Sequence, residues 1–273
     1  MKILIVIVLY KQAIKESVAY NSLSQALDEM SFEYGFYVHD NSPVKSNITD
    51  ENIFYDFHPE NSGLSFAFNR AAEYAREQNF DWMLLSDQDT YYPSNILKEY
   101  EEVIKDNPNI KLIVPKVKTI KRKLLSPCKY IHKRGRSLRD ITSGKHLIKN
   151  LSVINSGMMI NTDTFIGSGG YNEKIPVDLS DHQFIERYRK IEPFFWVLNG
   201  EIIQDFSNEN IKPDIMYDRF IRYIDTVRNC DRNNCIESVD YFILLLRRAL
   251  ALTIRTRKIR FLKIFCLNYL CKK

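Results

Sequence analysis

The sequence predicts an α/β protein in which a mostly parallel sheet is flanked by helices and followed by a basic amphipathic helical tail. Three observations carry this. Short apolar runs alternate with helix-period stretches over the first hundred residues, the first run is continuous and β-branched, and residues 241–273 hold nine Lys/Arg and no acid. The 273 residues are 45% hydrophobic, 12% aromatic and 27% charged, which excludes a disordered chain. Nine glycines, nine prolines and five cysteines exclude collagen-like and disulfide-stapled chains.

Ile3 to Leu9 reads as a central strand covered on both faces, and the polar Tyr10-Lys11-Gln12 that follows lacks the small-residue site of a signal peptide. Ser17 to Met30 has helical spacing. Phe36 to Val38 makes a second strand, ending at Asp40-Asn41-Ser42-Pro43, and Ile53 to Phe57 a third. The clearest helix follows Asn61-Ser62-Gly63, with Leu64, Ala67, Phe68, Ala71 and Ala75 at i, i+3, i+4, i+7 spacing. Trp82 to Leu85 is a fourth strand that stops at Ser86-Asp87-Gln88-Asp89-Thr90, and Pro93 introduces a helix over 94–105. Strand and helix alternating in this way give Rossmann-like parallel βαβ units. Ligands of such sheets sit beyond the carboxyl ends of the strands, so Asp40, Asp87 and Asp89 are expected on one crevice.

Residues 116–149 lack sustained periodicity and read as loops and a flap. Strand character returns over 153–160, broken by Asn155-Ser156-Gly157. A loop with Gly167, Gly169 and Gly170 leads to Asp178 and Asp181 and a helix marked by Phe184, Ile185 and Tyr188. Phe195–Leu198 and Ile202–Ile203 are further strand candidates.

The formal net charge of +5 is a cancellation. Residues 116–149 carry +11 and residues 241–273 carry +9, which leaves −15 on the rest. Anionic partners at two places are therefore expected. Tyr130 is the aromatic residue within the first basic segment and no nucleic-acid-binding spacing occurs there, so a nucleic-acid-binding protein is only the lesser alternative and no nucleic-acid partner is expected. The cysteines form no C-x-x-C pair or zinc spacing, which suits a reducing, cytoplasmic compartment.

Asp87 and Asp89, two apart after a strand, can reach one hard divalent cation such as Mg²⁺ or Mn²⁺ and through it a diphosphate. They also suit an ordinary acidic turn. Asp40 can accept the imide N–H of a uracil or thymine ring, or simply close a turn. Asp178 and Asp181 stand near a helix start, where one can serve as general base toward a sugar hydroxyl or as a plain first-turn acid. The five histidines show no metal spacing, and His182 beside Asp181 is the one with a possible site role.

In order, Ile5-Val6-Ile7-Val8-Leu9-Tyr10, Asp40-Asn41-Ser42, Asn61-Ser62-Gly63-Leu64 with Ala67-Phe68-Asn69, Leu84 to Thr90, Asn155-Ser156-Gly157, Gly169 to Glu173, and Asp178 with Asp181 and Arg187 resemble the family 2 glycosyltransferases of GT-A fold, especially their rhamnosyltransferase-like branch. The resemblance covers about residues 1–230 and implies a catalytic domain there, with residues 231–273 as a helical extension. It implies inverting sugar transfer from a UDP- or dTDP-linked donor to a saccharide or lipid-linked saccharide, in surface polysaccharide assembly. Asp181 matches the catalytic base. Leu9, Tyr10, Asp40, Asn61, Gly63, Asn69, Asp87, Gln88 and Asp89 match the donor site. Asp178, Ser156, Gly157, Arg187 and Arg228 match the acceptor side. One departure stands out, because the sequence reads Gln204-Asp205-Phe206-Ser207 where many relatives have a metal-ligating His. The implied Mn²⁺ or Mg²⁺ would then be held by Asp87, Asp89 and Gln204, or Asp205, and the departure keeps a non-catalytic nucleotide-sugar-binding subunit open.

In the tail, Leu250, Ile254, Ile259, Phe261, Leu262, Phe265 and Leu270 alternate with Arg255, Arg257, Lys258, Arg260 and Lys263. This pattern predicts an interfacial helix on anionic lipid, making the protein peripheral on the membrane. The same pattern suits a helix packed on the catalytic body or on a second copy in a homodimer.

Overall fold

The computed structural model describes residues 1–27, 30–48, 50, 52–204 and 213–270. At its centre, β1 (Lys2–Leu9) pairs in parallel with β2 (Glu33–Asp40) and β4 (Trp82–Asp87), and β3 (Ile53–Phe57) extends the sheet beyond β2. The continuous apolar run of β1 is explained by its two coverings. Leu4, Val6 and Val8 face one core with α2 (Gly63–Glu77), while Ile3, Ile5, Ile7 and Leu9 face the other with α1 (Val18–Gln25) and α3 (Ile96–Asp106). Each such side chain contributes about 1.5–3 kcal/mol by burial. The first helix is shorter than its predicted span, and α3 starts at Ile96, three residues after Pro93.

The other half of the sheet departs from simple alternation. β12 (Met158–Asn161) runs antiparallel between β4 and β6 (Leu112–Thr119) and leads into α4 (Thr162–Gly167), and β13 (Phe194–Gln204) lies parallel to β6. The two strand candidates near 195 and 202 are this one strand, with its pairing register shifted between Val197 and Glu201. The short β5 (Thr90–Tyr91) then pairs with the end of β13, placing Gln204 opposite Thr90.

The expectation that 116–149 is loops and a flap is corrected. Besides the end of β6, the segment contains β7 (Leu124–Ser126), β8 (Cys128–Ile131), β9 (Arg134–Ser137) and β10 (Gly144–Leu147). Strands β8 and β9 form a small sheet with β11 (Leu151–Ser152), and β10 borders β13. These strands are two to four residues long, too short to show a period.

The tail is not one interfacial helix. α7 (Cys235–Thr256) stops at Arg257, which takes a left-handed φ of 54°, and α8 (Arg260–Phe265) folds back before a π-helical turn over Cys266–Leu270. Tyr241, Leu245, Ala249, Phe261 and Phe265 are buried with Phe220, Tyr223, Ile224 and Val227 of α6 (Pro213–Asn229) in a third apolar cluster. That cluster spans the expected boundary at residue 230.

Lys133 fastens this helical layer to the small sheet. Buried in the β8–β9 turn, its Nζ lies 2.7 Å from both Glu186 carboxylate oxygens, 3.4 Å from Glu237, and over the Tyr241 ring. Removing one partner of a buried ion pair leaves the other charge uncompensated. Lys133→Ala is therefore expected to cost about 3–5 kcal/mol in urea unfolding, and a loss under about 1 kcal/mol would show that the network does not hold the two layers.

Candidate active site

The parallel register lines up the strand ends. Val8 of β1 pairs with His39 and with Asp87, and Leu9 pairs with Asp40. Everything that follows β1, β2 and β4 thus opens onto one edge of the sheet, as parallel topology requires.

Asp87 is the meeting point of remote segments. Its Oδ2 accepts hydrogen bonds from Ser156 Oγ and from Gln204 Nε2, each at 2.7 Å. Burial pushes the Asp87 carboxyl above its ordinary value, the two hydrogen bonds oppose that, and the charge of Asp181 adds to it. Asp181, 94 residues away in sequence, is thus brought by the fold to where its charge acts on Asp87. Asp89 lies exposed just past the strand.

Asp181 occupies the first turn of α5 (Ser180–Tyr188), whose entry residue Leu179 has φ 69°. Its Oδ1 accepts from the His182 backbone at 2.7 Å, and the His182 ring is held by Ser152 Oγ at 2.7 Å. Asp178 lies just before the helix and pairs with Arg219 at 3.3 Å.

On the donor side, Asp40 is fully buried. One of its oxygens accepts from the Ser42 backbone at 2.9 Å and the other from the Tyr55 hydroxyl at 2.6 Å. The Gln88 side chain accepts from Tyr10 N at 2.7 Å and donates to Tyr10 O at 3.3 Å, fixing the loop after β1. Leu9 points wholly into the core, so only its backbone faces the edge, and its carbonyl accepts from Asn41 N. Asn61 has φ 56° at the loop into α2. Gly63 has φ 84°, and a Cβ there would lie 2.7 Å from Pro176 Cβ, so glycine lets α2 begin against the 175–176 loop.

Four residues matched to binding roles hold loops in place. Asn69 accepts from Tyr171 N at 2.8 Å and donates to Tyr171 O and Glu173. Arg187 spends its guanidinium on Asp231 and on the carbonyls of Gly169 and Gly170. Arg228 donates to Asn268 O at 2.8 Å, fastening α6 to the chain end. Gly157, at φ 78°, packs so closely on Pro115 and Ile202 that no Cβ fits, and it presents Ser156 to Asp87.

A divalent cation fits the donor set at Asp87. Gln204 Oε1 and Thr90 Oγ1 are buried without hydrogen-bond partners, and they belong to facing residues of β13 and β5. Gln204 turns its amide nitrogen to Asp87, so its orphaned carbonyl oxygen and a carboxylate whose charge is disfavoured by burial are oxygen donors that a hard cation would satisfy. Asp205 lies outside the described residues.

His39, Asp56 and His58 also approach within 4.8 Å. However, the two imidazoles stack with centroids 4.5 Å apart and planes 13° apart, so an ion in the plane of one ring lies far out of the plane of the other. Asp56 instead accepts from Tyr37 Oη at 2.6 Å and pairs with His58 Nε2 at 3.1 Å, a polar cluster that braces β2 and β3. Sequence reasoning missed this cluster, the Tyr55–Asp40 bond and the Ser152–His182 bond, since each joins residues whose side chains alone carry no pattern.

This sheet with its crevice is the GT-A fold of glycosyltransferases. S. aureus TarS residues 1–349 superpose with TM-score 0.54 and 16% identity, over 90% of this chain and 70% of that one. The same TarS fragment solved with UDP-GlcNAc gives 0.54 and 16%, over 90% and 71%. GalNAc-T7, solved with UDP, GalNAc and Mn²⁺, gives 0.59 and 11%, over 83% of this chain and 47% of that one. No curated protein matches the chain at the sequence level. The sequence pattern of the family described as "Glycosyltransferase like family 2" matches residues 4–242, and the chain belongs to that family.

Because burial raises the Asp87 carboxyl, the folded state holds its proton more tightly than the unfolded chain does. Between the ordinary carboxylate value and the raised one, stability of cation-free protein therefore falls as pH rises, and Asp87 destabilises most above that window. Asp87→Asn is expected to raise the melting temperature of cation-free protein at neutral pH while reducing the stabilisation by Mn²⁺. A variant that melts lower than wild type and keeps the full Mn²⁺ effect would contradict both statements.

Proposed function

We propose that the protein transfers a sugar, with inversion, from a UDP- or dTDP-linked donor to a saccharide acceptor, with Asp181 as general base. The observation that carries this is the meeting of Asp87 and Gln204, from β4 and β13, at the carboxyl edge of the sheet, with Asp181 in the first turn of α5 close enough for its charge to act on Asp87. The nucleotide complexes of TarS and GalNAc-T7 support a nucleotide-linked donor for a chain of the same fold.

In the reaction, the acceptor hydroxyl attacks the anomeric carbon from the face opposite the nucleotide. Its proton passes to Asp181 as the new C–O bond forms, and the bond to the diphosphate oxygen breaks. The loop of Tyr10 and Gln88 and the strand-end turn of Asp40 to Ser42 form the nucleotide side of the crevice, with Asn61 and Gly63 beside them. Asn69, Arg187 and Gly157 act by positioning the loops that carry the reacting groups. Asp87, Asp89 and Gln204 would hold Mn²⁺ or Mg²⁺, which when bound neutralises charge on the departing diphosphate.

The acceptor is a lipid-linked saccharide in surface polysaccharide assembly, and the enzyme works as a peripheral protein on the cytoplasmic face of the membrane. In support, α7 exposes Ile236, Val239, Ile243, Leu250 and Ile254 beside Arg247, Arg255, Arg257 and Lys258. Among the described residues no helix is long and apolar enough to cross a membrane.

Asp181→Asn is expected to lower kcat by about 10²–10⁴-fold, the usual worth of a positioned base, with unchanged melting temperature and donor binding. Retained turnover would remove Asp181 from the role. A thermal-shift panel of nucleotide-diphospho-sugars with Mn²⁺ tests the donor, since a ligand of the native state raises the melting temperature. No shift with any UDP- or dTDP-sugar would overturn the donor assignment. On anionic liposomes the protein is expected to sediment with the vesicles and to be released by Ile243→Ser/Ile254→Ser. Full recovery of wild type in the supernatant would refute the membrane contact.

A further inference from the structure

A groove of about 810 Å³ separates the β8–β9 hairpin from α7. Leu179 and His182, which bracket Asp181 in the chain, are in its lining. On the hairpin side, Arg134 and Arg136 stand two apart on β9, so both project from the same face of that strand. On the helix side, Arg247 and Arg248 line the groove, and Arg248 is held over the Tyr223 ring at 3.7 Å. Among the described residues, Arg134, Arg136 and Arg247 form no salt bridge, whereas Asp240, the acid of this wall, is paired with His132 at 2.8 Å, and Lys133 is taken by Glu186 and Glu237.

The same wall is apolar between its cations. Ile243, Arg247 and Ala251 follow one another at i, i+4, i+8 on α7, with Leu244 beside them. Ile243 also belongs to the exposed stripe that runs from Ile236 to Ile254. The groove therefore has exposed apolar residues of α7 and two near neighbours of Asp181 in one lining, and its charged lining is mostly cationic, with Asp240 as the acid.

We propose that this groove receives the acceptor as a lipid phosphate or diphosphate, with the anion on Arg134, Arg136, Arg247 and Arg248 and the aliphatic chain along Ile243, Leu244 and Ala251 toward the outer face of α7. This rests on the glycosyltransferase reading only for the sugar, which the phosphate then carries toward Asp181. A neutral saccharide would leave several closely spaced cations without a counter-charge, and a phosphate without a lipid would leave the aliphatic wall uncovered.

The test is calorimetric titration of full-length protein with farnesyl diphosphate, in saturating UDP and Mn²⁺ so that the nucleotide crevice does not compete. Farnesyl diphosphate is expected to bind at least tenfold more tightly than inorganic pyrophosphate and than farnesol. Arg134→Gln/Arg247→Gln is expected to lose at least tenfold of that affinity while keeping the wild-type melting temperature and UDP shift. Ile243→Ser should weaken farnesyl diphosphate but not pyrophosphate. Equal binding of farnesyl diphosphate and pyrophosphate would overturn the lipid assignment, and undiminished binding by the double Arg variant would overturn the site. Absence of any UDP effect would instead count against the donor assignment and leave the groove result standing.

Discussion

The carboxylate of Asp87 ties the molecule together. It ends β4, accepts from the loop before β12 through Ser156, and accepts from the end of β13 through Gln204. These three segments are separated by 69 and 117 positions along the chain, and only the strand order places them side by side. β12, inserted antiparallel beside β4, positions Ser156. β5 pairs with β13 and sets Gln204 beside the acidic loop. The sheet is thus organised so that its irregular half delivers partners to a group whose burial opposes its charge.

That arrangement explains why the first half of the fold is legible in the sequence and the second half is not. β1 and α2 announce themselves because both are covered over their whole length, which imposes continuous apolarity on one and a 3.6-residue period on the other. β8, β9 and β11 bury only a few side chains each, and their pairing depends on distant partners. The segment 116–149 therefore shows its charge but hides its strands. The site residues divide in the same way. Asp87 and Asp181 are visible because their residue types are chemically suggestive, whereas Gln204 stands out only against the His of the family pattern. The functional meaning of Asn69 and Arg187 is not visible, because a hydrogen-bonding side chain at a loop looks the same in sequence whether it meets a ligand or a backbone carbonyl.

The basic tail illustrates a further limit of pattern reading. Its apolar positions suit either a lipid surface or a protein core, and the chain buries some of them while leaving others exposed. Phe261 and Phe265 are buried on α6 because α7 stops at Arg257 and α8 turns back, whereas Ile243, Leu250 and Ile254 remain outside. A helical period specifies a face and says nothing about what covers it.

The tail is packed into the same architecture as α5. Lys133 links it to Glu186 of α5, the helix whose first turn carries Asp181, and the Glu186 carboxylate also accepts from Tyr130 of β8. A displacement of α7 would be transmitted through this buried network to the small sheet and to α5. Asp181 therefore depends for its position on the tail as well as on the sheet. The outer face of α7 therefore belongs to a layer tied to α5 through Glu186, and a buried, fully paired charge network has few alternative arrangements.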